Sequence, residues 1–155
     1  MSGLNPRHKD SEKGNLLKTL QTILVILGAA ALVGCGGLTK GKAAAEAAIA
    51  RFHASYNQGK LDDIWKEADP GFRTASAKQN YDDLMGAVQR KLGKVTSTSN
   101  TGWNVQSFNF KTTVSMTQKS VFESGQGTES FTFTVDGTNA VLTGYNIQSM
   151  DLITK

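Results

Sequence analysis

Few residues of this chain combine a side-chain type and a position suited to catalysis. Glu129 is one, because it shares the strand alternation of Phe131 and Phe133 and so could point towards a core. His53 is another, since it follows Ile49 by one helical turn. Either side chain could act as a general base if hydrogen-bond donors held the developing charge. The simpler interpretation, which we favour, places Glu129 in water at a frayed strand end and His53 at the edge of a helix stripe.

Three tyrosines and one arginine are further candidates for a pocket. Tyr56 and Tyr81 lie on apolar helix stripes, and Tyr145 lies in the last predicted strand. Tyrosine at such positions usually packs in the core with its hydroxyl reaching towards water. Arg73 follows a Pro-Gly turn and either binds an anion or pairs with Asp69, and we expect the ion pair.

The sequence offers no metal centre, nucleophilic triad or cofactor motif. Its paired aspartates, Asp62-Asp63 and Asp82-Asp83, suit helix starts better than metal coordination. Serines are numerous, but no motif activates one of them. We therefore predict no cofactor and leave catalysis undecided.

The most specific chemical signal lies at Cys35, the only cysteine of the 155 residues. It follows an apolar run that starts near Ile23, and a net basic segment precedes that run. As a helix the run would be roughly 16 to 20 Å long, too short for about 30 Å of hydrocarbon but suited to a signal peptide. The sequence Leu-Val-Gly-Cys that ends at Cys35 resembles the lipobox of bacterial lipoproteins, in which the chain is cut before the cysteine, here after Gly34.

The lipobox resemblance implies a division of the chain and a location. Residues 1–34 would be a signal peptide, 35–42 a lipidated tether and 43–155 a single domain. Three acyl chains on Cys35 would anchor the protein stably to a membrane, because two or more suffice. Gly36 after the cysteine implies the periplasmic face of the outer membrane in a two-membrane source, and otherwise the outer face of the cell membrane. The alternative is an uncleaved anchor or an ordinary secretory signal with a chance thiol.

The charge of the chain gives no sign of nucleic-acid binding. The residues before Cys35 hold four of the 17 basic and two of the 13 acidic side chains, which leaves +2 for the rest. No cluster of Lys and Arg interleaves with aromatic residues. We therefore predict no nucleic-acid partner.

Apolar periodicity predicts three helices followed by strands. The helices cover about 43–57, 61–68 and 81–92, and Asn80 is placed to cap the third. Strands are predicted over about 95–103, 111–122 and 128–135, and a fourth follows the Asp136-Gly137 turn. Its apolar phase changes at Gly144, which predicts a bulge that bends the sheet. The fold class is α+β, with N-terminal helices packed on a curved antiparallel sheet of about four strands, similar to a cone.

Three short segments carry a further resemblance. They are Phe52-His53 with Tyr56-Asn57 and Gly59, Ile64-Trp65 with Ala68-Asp69-Pro70 and Phe72-Arg73, and Gly144-Tyr145-Asn146-Ile147. These segments resemble a group of bacterial lipoproteins that carry a domain of unknown function. The order of elements over about 43–150 is similar to the nuclear-transport-factor-two-like cone, also found in ketosteroid isomerase and polyketide cyclases. This likeness implies a cavity between helices and sheet.

The outward face of the predicted sheet is polar and almost uncharged. It comprises Thr113, Ser115, Thr117, Ser130, Thr132 and Thr134, flanked by Lys111 and Lys119. Such a face is either solvated or packs against a second copy or an envelope protein. We expect a membrane-anchored lipoprotein that binds a small apolar ligand or an envelope protein without catalysis. The alternatives are an isomerase- or dehydratase-type enzyme and a structural dimeric envelope subunit.

Overall fold

The computed structural model describes residues 36–154, so Gly34, Cys35 and the predicted signal peptide lie outside the described residues. The elements in chain order are α1 Gly36–Asn57, α2 Leu61–Glu67, α3 Pro70–Ala75, α4 Lys78–Leu92, β1 Val95–Phe108, β2 Lys111–Phe122, β3 Gly125–Asp136, β4 Asn139–Gln148 and α5 Asp151–Thr154. The strands form one antiparallel sheet in the order β1-β2-β3-β4, curved and not closed. Helices thus precede a curved four-stranded sheet, which confirms the predicted α+β class.

Helix α1 begins at Gly36 rather than at Ala43, so most of the segment assigned to a tether is helical. The alanine-rich stretch from Ala43 has high helix propensity, and no proline stops the helix from extending towards the N-terminus. Gly41 lies close to β2, because a Cβ atom added there would be 3.5 Å from a methyl group of Val114. The buried stripe of α1 contains Ala44, Ala45, Ala48, Ile49, Phe52 and Tyr56.

The segment between α2 and α4 differs from the prediction in two places. A one-and-a-half-turn helix, α3, occupies the position where only a turn was expected; Pro70 starts it and Asp69 caps it by accepting a hydrogen bond from Gly71 N at 2.7 Å. Helix α4 starts at Lys78, so Asn80 lies inside the helix and the prediction that it caps α4 was wrong. Gly93 ends α4 with a φ of 76°, as its type suggests.

The predicted bulge in β4 is confirmed. Thr132 pairs with Gly144 while the next residue, Phe133, pairs with Leu142, so β4 carries one extra residue at this point. The extra residue reverses the alternation of the strand. As a result Leu142 and Tyr145 both point to the concave face, and Tyr145 lies opposite Phe131. The sheet therefore presents an apolar concave face to the helices, formed by Val114, Met116, Phe131, Phe133 and Leu142.

Candidate functional site

A buried carboxylate lies at the centre of the concave face. Glu129 is 1% exposed, and its Oε2 accepts a hydrogen bond from Ser120 Oγ and lies 2.9 Å from His53 Nε2. Its Oε1 accepts a hydrogen bond from the Tyr145 hydroxyl at 2.8 Å. The expectation that Glu129 would lie in water at a frayed strand end was wrong. Strand β3 begins at Gly125, so Glu129 lies within the ladder between two neighbouring strands.

Three separate elements bring these partners together. Ser120 lies on β2 two residues after Gln118, the partner of Glu129 in the sheet, so its side chain points to the same face. The β4 bulge turns Tyr145 to that face as well. His53 comes from α1, where its ring makes edge contacts with Phe52 and Phe131 at 5.7 Å between centroids. This Glu129 cluster, meaning Glu129, His53, Ser120 and Tyr145, therefore links α1 to three strands of the sheet.

The Glu129 cluster keeps its carboxyl group ionised. Burial raises the pKa of Glu129, but the hydrogen bond and charge of His53 and the hydrogen bonds from Ser120 and Tyr145 outweigh burial and lower it. An ionised carboxylate only accepts hydrogen bonds, so the proton of each contact belongs to the partner, including Nε2 of His53. Burial and the charge of Glu129 raise the pKa of Tyr145 far above its usual value, so its hydroxyl keeps its proton.

This arrangement is poorly suited to proton abstraction as it stands. The two carboxylate oxygens have three donors, and a lowered pKa makes the group a weaker base. A substrate would have to displace at least one of these donors.

Gln118 lies opposite Glu129 on β2, and its buried Oε1 accepts no hydrogen bond from any other residue of the described range 36–154. Sequence reasoning missed Ser120 and Gln118, although both share the strand phase of Met116.

A cavity of about 630 Å³ lies beside the Glu129 cluster, between α1, α2 and the start of β4. Its apolar floor consists of Ala48, Phe52, Ile64, Ala68, Phe133 and Leu142. Exposed polar side chains surround the mouth, namely Arg51, Glu67, Thr138 and Asn139. Phe52 separates the two sites, because its ring lines the cavity and also packs on Tyr145 at 4.9 Å. Glu129 and His53 are not part of this lining.

The other tyrosines predicted to line a pocket have structural contacts instead. Tyr56 donates a hydrogen bond from its hydroxyl to Gly93 O at 2.7 Å, and Tyr81 donates to Leu61 O at 3.0 Å. Burial, which is the largest effect, and nearby carboxylates raise the pKa of both. The Tyr56 hydroxyl thus joins α1 to the C-terminal end of α4, and the Tyr81 hydroxyl joins α4 to the start of α2. The four residues predicted to line a pocket were Tyr56, Arg73, Tyr81 and Tyr145, and none of them lines the 630 Å³ cavity.

Arg73 also differs from its expected role. Its guanidinium donates to the backbone carbonyls of Lys66, at 2.8 Å, and Ala68. The carboxylate of Asp69 caps α3 rather than pairing with that guanidinium, so the expectation of an ion pair was wrong. Both side chains satisfy exposed backbone groups at the ends of short helices.

Within residues 36–154, no group of three histidine, cysteine or acidic side chains is placed to hold a metal ion. In the same range, every helix is too short or too polar to cross a bilayer. Comparison with protein-family models, with curated proteins and with solved structures yields no match to this chain. The resemblances to bacterial lipoproteins and to the nuclear-transport-factor-two-like cone therefore stay predictions that rest on the residues that carry them.

Proposed function

We propose that this chain is an exported, lipid-anchored protein whose domain binds a small, largely apolar ligand without catalysis. The 630 Å³ cavity carries the proposal, because its size, apolar floor and polar mouth are those of a small-molecule site. The Glu129 cluster serves as a scaffold in this proposal. Since it holds His53 against the sheet, it also fixes the neighbouring Phe52, which is one wall of the cavity.

The polar mouth defines what kind of ligand fits. Arg51 on α1 and Glu67 on α2 provide one cation and one anion, and Asn139 provides an amide. Such groups can orient a polar end of a ligand while its apolar body contacts Ile64 and Phe133. The ligand class is therefore a small amphiphile with one polar end.

The ligand proposal is tested by filling the cavity. Ala48 lines it and is buried, whereas Ala54 on the same helix is exposed. We expect Ala48→Leu to weaken binding of a fluorescent medium-chain fatty acid analogue by about tenfold or more, a free-energy loss of about 1.4 kcal/mol. Ala54→Leu, which adds the same atoms outside, is the control and should bind as the wild type does.

Two further measurements keep this test decisive. Thermal unfolding shows whether Ala48→Leu folds, since overpacking costs about 1–3 kcal/mol. If it does not fold, Asn139→Trp at the exposed mouth replaces it. Unchanged affinity in a folded cavity variant would contradict the proposal.

The anchor proposal rests on the lipobox at Cys35 and the apolar run before it. Mass spectrometry of the protein from its native membranes should find an N-terminal peptide that starts at Cys35 and carries acyl chains on its thioether. A soluble protein that retains residues 1–34 and a free thiol would contradict export and lipidation.

An isomerase- or dehydratase-type enzyme is the second candidate, because Glu129 lies beside the Tyr145 hydroxyl and His53. In that case Glu129 would abstract a proton and Tyr145 would stabilise an oxyanion. The variant Glu129→Gln separates the two functions. Folded Glu129→Gln protein should still bind the ligand under our proposal, because Glu129 does not line the cavity and acts on it only through the position of Phe52, whereas an enzyme would lose turnover of any substrate found.

A further inference from the structure

The tip of the β1–β2 hairpin exposes two aromatic rings. Phe108 is 78% exposed, and the side chain of Phe110 is fully exposed. Asn109 and Phe110 form the two-residue loop, both with left-handed backbone angles, φ 48° and 61°. Two-residue loops of this kind favour Asn-Gly, so phenylalanine occupies a position that suits glycine.

Phe110 is thus unfavourable for the domain in two ways. A bulky residue in the left-handed region strains the backbone, and its ring is left in water. Neither cost is offset by a packing contact within the domain, because the ring is fully exposed. The residue type therefore indicates a contact with something apolar outside the domain.

This tip lies at the same end of the domain as the start of α1. The C-terminal part of α1 meets the end of β2, where the rings of Tyr56 and Phe122 are 6.3 Å apart. The N-terminal part meets the start of β2, where Gly41 lies against Thr112 and Val114. Helix α1 therefore runs in the same direction as β2, and moving back along α1 leads towards the β1–β2 tip.

The chain that leads to the proposed anchor leaves the domain at this end. Cys35 precedes Leu38 by three residues, so their Cα atoms lie within about 11 Å of each other in any conformation. A lipid on Cys35 would hold this end of the domain close to the bilayer surface.

Basic side chains lie close to the tip at this end of the domain. Lys111 starts β2 directly beside the tip, whereas Lys119 lies far along β2 opposite Ser99. The neighbouring β3–β4 turn places the exposed Asp136 at this end as well. From Gly36 the first acidic residue is Glu46, and the exposed Lys40 precedes it. Lysines close to an anionic membrane surface are attracted to it.

We propose that the β1–β2 tip inserts Phe108 and Phe110 into the interface of the phospholipid bilayer that carries the lipid anchor. This inference rests on the proposed lipid anchor. Aromatic side chains at the headgroup level, together with a nearby lysine, are the usual features of interfacial contact. The insertion fixes the orientation of the domain, and the Thr138–Asn139 side of the cavity faces the same end, because Thr112 pairs with Val135 next to that turn.

The test uses the native, processed protein in vesicles of phosphatidylethanolamine and phosphatidylglycerol. Cys35 is the only cysteine, so a thiol introduced by Ser107→Cys beside the tip is the single site for a nitroxide label when Cys35 is lipidated. Ser99→Cys is the control, because it makes the same substitution on the same strand, about 26 Å further from the tip. Electron paramagnetic resonance then compares collisions of each label with oxygen and with a water-soluble nickel complex.

We expect the label at position 107 to gain oxygen collisions and lose nickel collisions on vesicles, while the label at position 99 stays exposed to water. The double variant Phe108→Ser/Phe110→Ser should return the label at 107 to the pattern of water exposure. One label per chain with equal water exposure at both positions would overturn this inference and leave the lipid anchor standing. Two labels per chain would show a free Cys35 thiol and overturn the anchor together with this inference.

Discussion

Replacing Glu129 by glutamine tests whether the buried carboxylate stabilises the fold. Glutamine has nearly the same shape, so it leaves no cavity, but it is neutral and one of its two polar atoms is a donor. In the wild type His53, Ser120 and Tyr145 all donate to the carboxylate. In the variant the amide nitrogen, which is a donor, faces at least one of these three donors and cannot accept its hydrogen bond.

The expected loss follows from this count. A hydrogen bond to a charged group contributes about 1.5–3 kcal/mol to stability. The hydroxyls of Ser120 and Tyr145 can rotate and accept, so the variant loses about one such bond and weakens the others. We expect Glu129→Gln to lower the free energy of unfolding by about 2–4 kcal/mol, a large part of the roughly 5–15 kcal/mol of a typical domain.

The loss also has a defined pH dependence. The folded state lowers the pKa of Glu129 below its usual value of 4.5, so ionised Glu129 stabilises the fold above about pH 4.5. This contribution disappears as the pH falls through the lower, folded-state pKa. Glutamine does not titrate. The difference in stability between wild type and variant should therefore be full near about pH 7 and shrink as the pH falls well below the usual pKa of 4.5.

Urea unfolding followed by circular dichroism at several pH values measures both effects. Glu67→Gln is the matched control, because Glu67 is exposed at the mouth of the cavity and its replacement should stay within about 0.5 kcal/mol of wild type. Equal stability of Glu129→Gln and this control at neutral pH would contradict the stabilising role of the carboxylate. An equal loss for Glu129→Gln at acidic and neutral pH would contradict the lowered pKa of Glu129 in the folded state.

Three further changes probe the frame around the site by urea unfolding. Asn57→Ala should cost about 1–3 kcal/mol, because the Asn57 side chain exchanges two 2.9 Å hydrogen bonds with the backbone of Val95; an unchanged midpoint would refute this docking role. Gly93→Ala should cost about 1–2 kcal/mol at φ 76°, where its Cβ would also meet Glu123, and a neutral result would contradict the strain. Phe110→Gly should stabilise by about 0.5–1 kcal/mol, since strain relief exceeds the added chain entropy; destabilisation would show that Phe110 supports the fold.

The local patterns of the sequence were enough to predict most of the elements. Apolar stripes marked α1, α2 and α4, and alternation marked β2 and β3, because the helical and strand periods are properties of a few consecutive residues. The same local signal located the β4 bulge, since the phase change at Gly144 appears within the strand itself. The helix starts were less accurate, at Gly36 and Lys78, because propagation and backbone capping leave little trace in side-chain type.

The tertiary structure decided the site. His53 and Glu129 are 76 positions apart, and Ser120 and Tyr145 come from two other strands. Their meeting depends on strand register and on where α1 crosses the sheet, and neither is encoded in a local period. Cys35 was identified from its neighbours in the sequence alone. Only the fold brought Phe110 to the end of the domain where α1 starts, a few residues after Cys35 in the sequence. Lipidation signals lie in consecutive residues, while a buried cluster and a shared end of a domain exist only once distant segments have packed.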